Sequence, residues 1–132
     1  MKFSTRAEYG LRAILRIAKT KKRPYSLAKI AKIEGISLGY LEKLLAKLKK
    51  AGLVKSTKGM KGGYILNYSP TKIKISQVIQ ALEGTLAPFY CVDKRHGKIS
   101  CPPGCLTQQV WLKLYQQINK TLEKITLANL IK

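Results

Sequence analysis

The chain has 132 residues, 45% of them apolar, enough for one domain with a real core or one domain plus an appended helix. Lys and Arg number 26 against 6 Asp and Glu, a formal net charge of +20. That excludes a neutral or acidic surface and points to a polyanionic partner. No apolar run approaches the ~18 residues of a membrane span.

The charge is uneven. Residues 1–70 carry 17 basic and 3 acidic residues, whereas residues 71–132 carry 9 and 3, so the anion-binding surface is expected in the first half. Of the basic residues 21 are Lys, as an A/T-rich coding sequence would produce, but such bias does not explain the asymmetry. Three cysteines, an odd number, follow an opening Met1–Arg6 that lacks the apolar stretch of a secretory signal. They argue against a disulfide framework and for a reducing compartment, a bacterial cytosol or an organelle stroma.

Thr5 to Thr20 reads as a helix with Ala7, Leu11, Ile14, Leu15 and Ala18 on one face. Tyr9, Ala13 and Ile17 widen that stripe until it meets neighbours on two sides. After a basic loop from Lys19 to Pro24, Ser26 caps a short helix carrying Leu27, Ile30 and Ala31 inward. Glu34-Gly35-Ile36 forms a tight turn. Ser37 caps a further helix in which Leu38, Leu41, Leu44, Leu45 and Leu48 face the core, with Gly52 at the C-terminal cap position. Helix, glycine turn, helix is the helix-turn-helix pattern. Leu53 to Thr57 and Tyr64 to Asn67 read as strands around the glycine-rich turn Lys58–Gly63. A basic hairpin directly after a helix-turn-helix is a wing.

Ser76 to Gly84 reads as a short amphipathic helix with Val78, Ile79 and Leu82 inward, and Thr85 to Pro103 as irregular chain. From Cys105 onward Val110, Trp111, Leu114, Ile118, Leu122 and Ile125 recur every three or four residues. Little else in so short a chain is left to cover that stripe, so its expected partner is a second copy, giving a homodimer; the alternative is packing on Thr5–Thr20 of the same chain. The expected fold is mainly α: a winged helix-turn-helix DNA-binding region over 1–70 with a two-stranded wing, a short helix and cysteine-containing loop over 71–105, and a dimerisation helix over 106–132.

With its leucines inward, the Ser37–Lys50 helix presents Gly39, Tyr40, Glu42, Lys43, Ala46 and Lys47 outward, with Ser37 at its tip. An exposed helix with its N-terminal residues presented fits the major groove of double-stranded DNA. Tyr40 suits a phosphate or sugar, Lys43 and Lys47 suit phosphates or guanine, and Gly39 permits close backbone approach. Glu42 either accepts from cytosine N4 or filters out unwanted sites, or it is an i,i+4 partner for the neighbours of Ala46 or a solvated companion of Lys43. Lys58 and Lys61 on the wing suit the minor groove or backbone, while Arg6, Arg12, Lys19 and Lys21 add phosphate contacts or are solvated.

Cys91, Cys101 and Cys105 lie within fifteen residues of Gly- and Pro-containing chain. Thiolates gathered on irregular backbone point to a metal or cluster, against buried or reactive thiols without one. Spacing alone favours zinc, with His96 completing a Cys3His site; Gln108 or a distant carboxylate are other fourth donors. A thiol enzyme using Cys91 with His96 lacks an oxyanion hole and an orienting acid, so no enzymatic activity is expected. A ribosomal or RNA-binding protein fits the charge but not the wing.

Ser4-Thr5-Arg6-Ala7-Glu8-Tyr9-Gly10-Leu11-Arg12-Ala13, Ile36-Ser37-Leu38-Gly39-Tyr40-Leu41-Glu42-Lys43-Leu44-Leu45, Gly59-Met60-Lys61-Gly62-Gly63-Tyr64, Cys105-Leu106-Thr107 leading to Trp111, and Ile125-Thr126-Leu127 together resemble the IscR-type (Rrf) family. These are winged-helix, iron–sulfur-cluster-binding transcriptional regulators, and they include nitric-oxide-sensing repressors. The resemblance spans essentially the whole chain. It implies a homodimer with crossing long helices, a repressor whose grip on DNA follows iron–sulfur, redox or nitric oxide status, and a [2Fe–2S] or [4Fe–4S] cluster held by Cys91, Cys101 and Cys105. It also implies the alternative of a cluster-free member that senses through thiols or a partner protein.

Two positions depart from the family pattern. Gln108 stands where [2Fe–2S] members carry a histidine ligand. Glu8 stands where a nitric-oxide-sensing branch takes an acidic fourth ligand from the partner subunit, or it forms an i,i+4 ion pair with Arg12. The resemblance turns the zinc expectation toward a cluster, with Glu8 or His96 as possible fourth ligand.

Overall fold

A computed structural model describes residues 2–20, 24–58, 63–93 and 104–131. In chain order these form α1 (Thr5–Ala18), α2 (Leu27–Glu34), α3 (Leu38–Lys50), β1 (Val54–Thr57), β2 (Gly63–Leu66), α4 (Ile75–Glu83), α5 (Gln108–Glu123) and α6 (Leu127–Leu130), with 3₁₀ turns at Pro70–Lys72 and Tyr90–Val92. The chain is mainly α with a two-stranded antiparallel wing, as the sequence suggests. None of the described helices is long and apolar enough to cross a membrane.

The stripe on α1 buries Ala7, Ala13, Ile14, Ile17 and Ala18, and also Gly10. A Cβ at Gly10 would lie 2.4 Å from Leu82, so the missing side chain sets how closely α1 and α4 approach. Gly35 ends α2 in the left-handed region at φ 68°. Ser37 then opens α3, its hydroxyl accepting from the Tyr40 N–H at 3.1 Å. Leu41, Leu44, Leu45 and Leu48 turn inward, each no more than 1% exposed. Leu38 departs from the expectation. It is 43% exposed, since the first turn of a helix has no preceding turn beside it.

The wing pairs Val54 with Leu66 and Thr57 with Gly63. A further edge, which the sequence does not announce, comes from Tyr25. Its N–H donates to Tyr64 O at 3.0 Å and its carbonyl accepts from Tyr64 N–H at 3.1 Å. Gly63 therefore belongs to β2 rather than to the turn, and a Cβ there would meet Tyr25 O at 2.4 Å.

The stripe that follows Cys105 splits. α5 begins at Gln108 and stops at Glu123, so Ile125 lies beyond it, and the chain pairs back onto the residues before α4. Ile75 N–H donates to Ile125 O at 2.8 Å and Leu127 N–H to Ile73 O at 3.0 Å. Thr126 then starts α6, its hydroxyl accepting from the Asn129 N–H at 3.3 Å. Burying Leu127 completely in the winged-helix core requires that turn. A straight continuation of α5 would carry Leu127 away from the core.

Candidate nucleic-acid interface and cysteine loop

The face of α3 opposite its buried leucines is open. Ser37, Gly39, Glu42, Lys43, Ala46 and Lys47 are exposed, and Tyr40 is half-buried. The Tyr40 ring sits edge-on to Tyr9 with centroids 6.5 Å apart, and its hydroxyl lies 3.5 Å from Thr5 Oγ1, so α1 holds the phenol at the rim of α3. Lys47 faces α4, its ammonium 3.5 Å from Leu82 O. Gly39 has open space where a side chain would stand and needs no left-handed backbone. Lys58 is exposed at the end of β1; Lys61 lies outside the described residues, as does Lys21.

Much of the basic charge on α1 is already partnered. Arg16 Nε donates to Glu34 Oε1 at 2.6 Å, and Arg12 reaches Glu34 Oε2 at 3.2 Å and Glu8 Oε1 at 3.3 Å. Arg12 thus stands in a network with both carboxylates while its side chain stays 53% exposed. The Glu34 side chain is 7% exposed. The Arg16 hydrogen bond first, then Arg12, holds its carboxyl below the usual range against the opposing pull of burial. Arg12 is held above its ordinary value by Glu34 and then Glu8. Sequence reading places Glu34 in a turn and misses this clamp between α1 and α2. Its one advance signal is the scarcity of acidic residues, since helical spacing does not reveal pairs between elements. Ser4 makes another such link, its N–H and hydroxyl both donating to Glu83.

Around the cysteine loop, Phe89 stacks on Trp111 with centroids 5.3 Å apart, fixing the Tyr90–Val92 turn, and with it Cys91, against α5. Cys105 precedes α5, its sulfur 3.5 Å from Thr107 Oγ1. Both cysteines are half-buried. Gln108 is the first residue of α5 and half-buried. Glu8 is 61% exposed and paired with Arg12. Cys101 and His96 lie outside the described residues, and among the described residues no three metal-ligating side chains gather. Two soft thiol donors bracketing the loop suit a thiophilic metal or cluster.

α5 itself has no buried residue. Val110 is 57% exposed, Leu112 45% and Leu114 37%, and Leu106 just before it 91%.

A helix-turn-helix with its second helix bare, followed by a basic wing, defines a DNA-binding transcriptional regulator. The chain belongs to the Rrf2 family, described as iron-dependent transcriptional regulators, which it matches over residues 3–132. It is 39% identical over 135 residues to the HTH-type transcriptional regulator IscR of Vibrio atlanticus, covering 100% of this chain and 76% of the relative. It is 38% identical to the protein rrf2 of Nitratidesulfovibrio vulgaris, covering 100% and 88%. Among solved structures, the B. subtilis global cysteine regulator CymR superposes with a TM-score of 0.81 at 31% identity, covering 99% and 96%. T. potens IscR superposes with a TM-score of 0.78 at 39% identity, covering 99% and 86%. This chain is a transcriptional regulator of that kind.

Proposed function

We propose that the protein is a homodimeric repressor whose hold on duplex DNA is set by an iron–sulfur cluster at Cys91, Cys101 and Cys105. The observation that carries this reading is a pair of half-buried cysteines, Cys91 in the turn that Phe89 packs on Trp111 and Cys105 just before α5, beside a helix with no buried residue in its own chain. A second copy covering α5 would close the apolar face and place the two loops beside the seam. On the DNA side, Ser37, Gly39, Tyr40, Glu42 and Lys43 meet the major groove, Lys47 flanks it, and Lys58 and Lys61 follow the adjoining backbone. We assign the chain no catalytic role.

A bound cluster would supply a group whose charge and integrity respond to electrons and nitric oxide. The chain's own residues do the rest: Cys91 and Cys105 offer thiolates, Cys101 a third, and Gln108, three residues after Cys105, a neutral oxygen. Glu8, more than half exposed yet paired with Arg12, would have to exchange that partner to become the fourth donor; His96 is the other candidate. A second reading, thiol oxidation without a cluster, is favoured by the same cysteines and by the solved oxidized form of S. aureus CymR, 32% identical with a TM-score of 0.77.

Anaerobic purification with an ultraviolet-visible spectrum and assays for iron and acid-labile sulfide tests the cluster. We expect visible absorption with bound iron and sulfide, and their loss in Cys105→Ser. A colourless protein free of both overturns the cluster and leaves the thiol reading. In the same preparation, specific duplex binding should survive competitor RNA yet weaken steeply with salt.

A further inference from the structure

Leu38 is a leucine the fold does not use. It is 43% exposed at the first position of α3 and is not among the side chains packed on the core, whereas the leucines at 41, 44, 45 and 48 are buried. Its surroundings are unusual for a chain carrying 26 Lys and Arg. From Gly35 to Leu41 there is no charged residue, and the next position, Gly39, leaves open space beside it. The Ser37 hydroxyl is committed to the Tyr40 N–H. The tip of α3 is therefore small, apolar and uncharged, with Glu42 and Lys43 one turn further along.

An apolar side chain gains nothing from phosphates. On the floor of the major groove, the apolar group that distinguishes one base from the others is the C5 methyl of thymine. We propose that Leu38 is a specificity residue that reads a thymine methyl in the protein's DNA site. The proposal rests on the reading that α3 enters the major groove. Leu38 and Glu42 are four residues apart and share a face. At 1.5 Å of rise per residue they stand about 6 Å apart along the helix, close to two base steps of about 3.4 Å each. A carboxylate accepting from cytosine N4 and a leucine on a thymine methyl would thus select bases within two or so positions of each other.

Solitary exposed leucines are common on protein surfaces, so the test must separate contact with a methyl from mere exposure. The intact wild-type protein selects its site from a random duplex pool, and each thymine of the enriched site is then replaced singly by deoxyuridine, which removes the methyl alone. Affinities are measured for wild type, Leu38→Ala and Leu38→Met. We expect deoxyuridine at one position to weaken wild-type binding about fourfold, the scale of one buried methyl group. Leu38→Ala should bind the two duplexes equally, matching wild type on the deoxyuridine duplex to within about twofold, and Leu38→Met should keep the preference. Non-specific binding and its salt slope should be the same in all three proteins. The proposal is overturned if no thymine shows methyl dependence, or if Leu38→Ala retains it. A pool in which no duplex is enriched overturns the groove reading itself, and the proposal falls with it; that outcome is distinguishable because it appears before any variant is used.

Discussion

α3 and α5 carry apolar residues at the same helical period and meet opposite fates. α3 hides four leucines to 1% exposure or less, while α5, three residues longer, buries none of its own. α3 is clasped by α1, α2 and α4, whereas α5 lies on α4 and on the Tyr90–Val92 turn. Its far end is pinned by the return of Leu127 to the core. The lesson is that periodicity announces a face to be covered without saying by what. Within the chain the winged half is complete, and the half that carries the cysteines is not.

The largest test of that contrast is to charge the open face. Val110→Asp combined with Leu114→Asp should leave the winged core folded, since both positions are exposed, while abolishing the dimer. Losing the second reading head should lower DNA affinity by about 10²–10⁴-fold. Sedimentation and binding isotherms measure the two effects. An unchanged sedimentation coefficient would mean that α5 is covered by something other than a second copy.

Inside the winged half the matching probe is Glu34, whose carboxylate joins α1 to α2. Both guanidiniums remain substantially exposed, at 53% and 36%. Glu34→Gln should therefore cost on the order of 1 kcal/mol, the scale of a pair in contact with solvent. The folded-state carboxyl titrates below its unfolded value, so the ionised form is the one the fold prefers. Its contribution is fully present above the unfolded pKa of about 4.3 and is lost as pH falls through the lower folded value. Urea titrations at neutral and acidic pH should show wild type and Glu34→Gln converging in acid; a gap that widens there would contradict the sign.

The stripes on α1 to α4, the turn at Gly35 and the wing were all legible, because each is written in spacing local to the chain. The outward set on α3 followed from the same wheel. What escaped the sequence depends on contacts between distant segments. Leu38 shares the wheel position of buried leucines, but no neighbour covers the first turn. Tyr25 joins the sheet through a single residue, too short for any alternation. Glu34 meets Arg12 and Arg16 across two helices. Leu127 returns to the core through a turn that a continuous apolar stripe conceals. The cysteine loop was visible as composition and as a family pattern, and the packing of Phe89 on Trp111, which docks Cys91 on α5, was not.

The smallest effect is the sharpest, because it should split stability from function at one atom. Gly39 sits in the first turn of α3, with nothing within 4 Å of the place a methyl would occupy and no left-handed backbone to protect. Glycine inside a helix costs about 0.5–1 kcal/mol relative to alanine, and here the fold gains nothing in return. Gly39→Ala should therefore raise the melting temperature slightly while weakening duplex binding severalfold, since a methyl would now stand between the helix and the groove it approaches. Thermal denaturation and anisotropy titration on one preparation check both signs. If stability and affinity rise together, α3 does not bring its first turn against DNA, and the bareness of that turn has some other cause.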